Sequence, residues 1–256
     1  MKRFFAPRSL RAALVAVIGI TLTSAVPQSS PVAGAYRAVE TTSDVDITAR
    51  DVALSNQKVR MAHSALVSMW SSGFRKLGQR FYAPDIVPFF RGVRTGCGTM
   101  RGNNAIYCPR DNTIYFDEVF IASQAKLASL ELGTDGDMAS VGIIAHEMGH
   151  AVAIQLGHIA RSTYANEATA DCLAGAFTQQ AGRDGSLEEG DIDEAFYAMA
   201  AAGDPTPQLT GDRQVDRYIL ARARRMAHGT REQRMDNFSR GLEGGARACL
   251  PGIRGL

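Results

Sequence analysis

Between Met138 and Leu156 the chain is apolar on nearly every side, through Val141, Ile143, Ile144, Ala145, Val152, Ala153 and Ile154. A segment of this kind must be a helix buried in the core. Yet it carries His146-Glu147-Met148-Gly149-His150. Polar groups left unpaired in a core are costly, so these three need a partner. Residues i and i+4 of a helix share a face, which lets His146 and His150 hold one zinc ion together. Glu147, one residue on, is angled toward the metal's open side, where it would take a proton from an activated water.

Catalytic zinc takes three protein ligands and keeps one open position. A third histidine six residues after the second is excluded, because Leu156 stands there and Ala153 replaces the glycine that pattern needs. His158 falls just past Gly157, at a helix end. The next helical segment holds Glu167 and Asp171 on one face, among Ala165, Ala168, Ala170, Leu173 and Ala174. Two carboxylates in such uncharged company call for a cation opposite. Glu167 is therefore expected as third ligand. Asp171 is expected to accept the N–H of a ligand imidazole and fix its tautomer. Should Glu167 prove distant, Asp171 or His158 would take its place.

Around this centre the pattern predicts an α+β fold, a mostly helical body with a small β-sheet beside the His-Glu-x-x-His helix. Val59, Ala62, Leu66, Trp70, Phe74 and Leu77 recur at helical spacing over 56–77. Strands are expected at 86–93 and 113–117, separated by a loop over 95–112. Further helices are expected at 118–131, 138–156, 164–181, 188–201, 213–226 and 230–242, with Gly133, Gly157, Gly182 and Gly203 as stops. The strand at 113–117 would border the cleft and offer its edge to an extended substrate.

Lys2, Arg3, Arg8 and Arg11 precede an apolar run from Ala12 to Val26, the layout of an export signal. The run is shorter than the ~20 residues of a spanning helix. Residues 1–35 are read as a signal peptide or N-terminal membrane anchor, 36–50 as a linker and 51–256 as the folded domain. The chain is thus expected outside the cytoplasm, touching a membrane only through that anchor. Four cysteines fit export. Cys97 with Cys108 would close a local loop, leaving Cys172 to tie Cys249. A net charge of +2 with no basic run in the body gives no reason to invoke nucleic acid.

Several segments in this order resemble the putative neutral zinc metallopeptidase family of bacteria. They include Thr95-Gly96-Cys97-Gly98, Tyr107-Cys108-Pro109, Ile114-Tyr115-Phe116-Asp117, Ile144 to His150, Glu167 to Cys172, Gly203-Asp204, His228-Gly229-Thr230 and Glu232-Gln233-Arg234. The resemblance spans residues 50 to 250. It implies a zincin-like fold, Zn²⁺ as cofactor, a Glu third ligand and a peptide or protein substrate. His228 can reach the cleft as an oxyanion donor or simply fix its turn; Tyr115 is a second candidate donor, and Arg234 reads as an ion-pair partner. The leading function is an exported zinc peptidase. The competing ones are a non-catalytic zinc-stabilised binding module and an amidase acting on cell-wall peptides.

Overall fold

The computed structural model describes residues 45–158 and 160–253. The expected export signal and most of the linker lie outside the described residues. The first helix, α1 (Ala49–Lys76), starts where Thr48 and Asp51 cap each other reciprocally, so Ala49 and Arg50, assigned to the linker, are helical. Its buried stripe, Val59, Ala62, Leu66, Trp70 and Phe74, is the one the spacing predicts.

The helices α2 (Glu118–Leu132), α3 (Asp137–Gln155), α4 (Thr163–Arg183), α5 (Asp191–Ala201), α6 (Arg213–Met226) and α7 (Arg231–Gly244) follow the expected order, ending in the short α8 (Ala246–Cys249). The fold is α+β with a small sheet. The central element is α3, packed against α1, α2, α4 and α5 and against two strands of the sheet. Gly149 lets α3 and α4 approach closely. A Cβ there would lie 2.9 Å from the Ala170 carbonyl oxygen, so any larger residue would push the two helices apart. Gly241 does the same between α7 and α4, where a Cβ would run into the Cys172 carbonyl.

The strands depart from expectation. The stretch read as one strand over 86–93 divides into β1 (Asp85–Phe89) and β2 (Gly92–Thr95), which belong to different sheets. Arg91 breaks it with a left-handed φ of 63°. The stretch read as a loop holds a hairpin, β2 with β3 (Gly98–Arg101), and a further strand, β4 (Ala105–Cys108). Strands of four residues among Gly and Asn leave too little alternation to read. The main sheet runs β1-β5-β4, with β5 (Thr113–Asp117) parallel to β1 and antiparallel to β4. β5 is therefore the central strand with both edges taken, and the edge facing α3 belongs to β4.

Cys97 pairs with Cys108, and Cys172 with Cys249, as anticipated. The second bridge ties the end of the chain to α4 one residue beyond Asp171. Among the described residues no helix is long and apolar enough to cross a membrane.

Candidate metal and active site

The α3–α4 crossing brings three predicted residues together. His146 Nε2 lies 3.1 Å from His150 Nε2 and 3.1 Å from Glu167 Oε2, and His150 Nε2 lies 3.7 Å from that same oxygen. One turn of α3 separates the imidazoles, and Glu167 comes from the first half of α4, which Gly149 allows to sit close. Tetrahedral zinc with ligands at about 2.0–2.2 Å holds its donor atoms roughly 3.3–3.5 Å apart. The observed triangle brackets that spacing.

Tautomer chemistry points the same way. His146 Nδ1 lies 2.8 Å from Asp171 Oδ1. Arg234 Nη2, 3.2 Å from the same nitrogen, can only donate, and the carboxylate can only accept; the shorter contact, to the carboxylate, places the hydrogen on Nδ1. In the neutral ring, Nε2 then presents its lone pair to the Glu167 carboxylate and to His150, an arrangement that needs a cation between them. Charge agrees as well. Glu147, Glu167 and Asp171 supply three carboxylates and Arg234 one guanidinium, leaving two negative charges for a divalent ion to balance. The residues fit zinc.

Without metal, a proton takes the cation's place. Burial opposes charge on His146, but the hydrogen bonds to Asp171 and Glu167 outweigh it and push the imidazole up to about 9. Burial likewise opposes charge on Glu167, and its bonds to His146 and His150 prevail, holding the carboxyl well below its usual range. At pH 7.5 the metal-free His146 is therefore protonated, and zinc must displace that proton. Calorimetric titration with zinc in buffers of different ionisation enthalpy should show release of about one proton or more; identical heats in every buffer would contradict this. The sign for stability follows. His146 protonation stabilises the metal-free fold fully below the ordinary imidazole pKa of ~6.5, and that stability is lost as pH rises through about 9.

Asp171 is fully buried and is gripped by Arg234, whose Nη2 lies 2.6 Å and Nε 3.2 Å from Oδ1. Arg234 Nη1 also donates to the Ala202 carbonyl at 3.0 Å. The expected ion-pair partner thus turns out to orient the carboxylate that orients His146. Arg234→Met should cost about 3–5 kcal/mol of stability by leaving Asp171 buried and unpaired, measured by denaturant unfolding. The paired change Arg234→Met/Asp171→Asn should recover much of it. A loss in the double variant equal to the sum of the singles would refute the coupling.

Glu147 is held from the sheet side. Its Oε2 accepts the Tyr107 backbone N–H at 2.7 Å. The Asp117 N–H bonds the Asn104 carbonyl, so the antiparallel alternation turns the backbone groups of Ala105 and Tyr107 away from β5 and toward the site. No side-chain signal marks this contact, which is why the sequence did not disclose it.

His146, His150, Glu167, Glu147 and Arg234 line one cavity of about 510 Å³ together with His228. His228 is steadied by Asp204, which accepts its backbone N–H at 2.6 Å and lies 3.3 Å from ring Nδ1. It therefore both fixes a turn and faces the cavity. Tyr115 donates to Asp111 and is not part of the lining. His158 contacts Thr169 at 3.4 Å and stays outside the donor cluster.

Comparison with known sequences agrees with this geometry. Residues 9–250 match the family described as putative neutral zinc metallopeptidase. The chain belongs to that family. Within it, the chain is 33% identical over 194 residues to the uncharacterized protein YpfJ of Escherichia coli K12, covering 69% of this chain and 63% of YpfJ. It is 30% identical over 186 residues to the uncharacterized protein Rv2575 of Mycobacterium tuberculosis, covering 63% of this chain and 59% of that one. The chain thus spans less than two thirds of the length of these relatives. No solved structure matches it.

Proposed function

We propose that this chain is a zincin-like peptidase in which His146, His150 and Glu167 hold zinc and Glu147 is the general base. The observation that carries the reading is the triangle of three donor atoms on α3 and α4, with Glu147 beside it in the same cavity. When bound, zinc supplies a Lewis acid and lowers the pKa of water towards ~7. Glu147, with Oε2 tied to the Tyr107 N–H, takes the water's proton and returns it to the departing amine nitrogen. Asp171 holds the Nδ1 hydrogen of His146, so Nε2 stays free to ligate. His228, with Nδ1 on Asp204, offers its other nitrogen as a donor to the oxygen that gains charge as the carbonyl is attacked. An extended peptide would pair with the Ala105 backbone and the Tyr107 carbonyl that β4 turns outward, the Tyr107 N–H being held by Glu147.

Export is part of the same proposal. Its support is the basic and apolar N-terminal pattern together with two disulfides, which persist outside the cytoplasm.

Purified full-length protein should cleave a mixed peptide library. A chelator should abolish cleavage, and stoichiometric zinc should restore it. A zinc-loaded, folded protein that cleaves no peptide would overturn the peptidase reading.

A further inference from the structure

The walls of the cavity carry information that the catalytic groups do not. Apart from His146, Glu147, His150, Glu167, His228 and Arg234, every residue lining it is uncharged. On the α3 face that looks into it, Ile143 precedes the site residues and Ile154 follows them. Ile154 stands 45% exposed, a large aliphatic side chain held at the cavity rim with solvent over it. Beside Ile143 the wall is completed by Phe120 from α2 and by Ala198 and Met199 from α5. This patch joins three elements beside the metal cluster and contains no ionic partner for a guest.

Polar groups are also present, and they are of one kind. The side-chain amides of Asn104, Gln124 and Asn166 line the cavity and have no hydrogen-bond partner among the described residues. Neutral amides can donate to and accept from a peptide backbone without attracting charge. Apolar walls with a few convergent neutral polar groups suit a ligand whose backbone is bonded and whose side chains are apolar.

We infer that the cavity selects peptides bearing apolar residues beside the scissile bond, with the Phe120, Ile143, Ala198 and Met199 wall taking one such side chain, and that it rejects charged residues there. This rests on the peptidase reading and adds the substrate class to it. A Lys or Asp side chain placed against that wall gives up hydration, and none of the four wall side chains offers it a counter-charge. The wall selects against charge as well as for apolar surface.

The test uses a peptide series that differs only in one residue beside the cleaved bond: Leu, Lys or Asp. For wild-type enzyme, kcat/KM for Leu should exceed that for Lys and for Asp by about 100-fold or more. Gln124→Glu places a carboxylate on the α2 wall without disturbing the core. It should raise the Lys-to-Leu ratio by about tenfold. Binding of the same peptides to zinc-loaded Glu147→Gln protein, measured by calorimetry, reads the wall without requiring cleavage. There too Leu should bind more tightly than Lys or Asp. A wild-type preference for Lys or Asp, an unchanged ratio in Gln124→Glu, or equal binding of all three peptides would each overturn the inference. Selective binding of the Leu peptide by a protein that cleaves nothing would sustain it and count against hydrolysis instead.

Discussion

Glu147→Gln is expected to keep its full zinc content and to lower kcat by about 10²–10⁴-fold, the usual contribution of a positioned general base. The change keeps the side chain's size. An amide oxygen can still accept the Tyr107 N–H that now reaches Oε2 at 2.7 Å. What is lost is the capacity to take a proton. The side chain lies outside the triangle of donor atoms, so metal affinity should hold within a few-fold. Parallel measurement of zinc by elemental analysis and of kcat on one cleaved peptide separates the roles. Wild-type kcat in the zinc-loaded variant would remove Glu147 from the chemistry. Coincident loss of zinc would make it a structural element of the site.

Glu167→Ala should weaken zinc binding by more than ~100-fold and remove activity at ordinary zinc concentrations. The expectation exceeds the roughly 10–100-fold seen when a residue that only supports a ligand is changed. Glu167 Oε2 sits within 3.7 Å of both imidazole nitrogens, whereas Asp171 meets His146 on the opposite nitrogen. Asp171→Asn should accordingly show the smaller loss. Competition with a chromogenic chelator gives both constants. If the two variants ranked the other way, Asp171 would be the ligand and Glu167 its support. The Glu167 variant also exposes the charge balance. Removing one of three carboxylates beside Arg234 leaves a single net negative charge to meet a divalent ion, so the remaining attraction weakens along with the missing bond.

Local pattern alone marked the residues of the candidate metal cluster, which the fold brings together. Two imidazoles four residues apart on an apolar helix, and two carboxylates four apart on an uncharged one, mark faces that must meet something positive. That inference needs only helical periodicity and the cost of burying charge. The order of helices was equally legible, because each spans several turns of repeating pattern. The two disulfide pairings followed from one close pair and what remained.

What the sequence could not determine lies in contacts between segments distant along the chain. The edge of the sheet beside α3 is β4, a four-residue strand inside a Gly- and Asn-rich stretch, and not the stronger β5 pattern. Which strand becomes an edge depends on who pairs with whom, and that is settled by long-range hydrogen bonding. Arg234 meets Asp171 across 63 positions because Gly241 and Gly175 permit a close crossing of α7 and α4, and His228 is aimed by an Asp204 24 positions earlier. Sequence composition therefore determined which chemistry this protein can hold. Tertiary packing decided how each reactive group is oriented, since orientation is fixed by backbone and side-chain partners that no local pattern encodes.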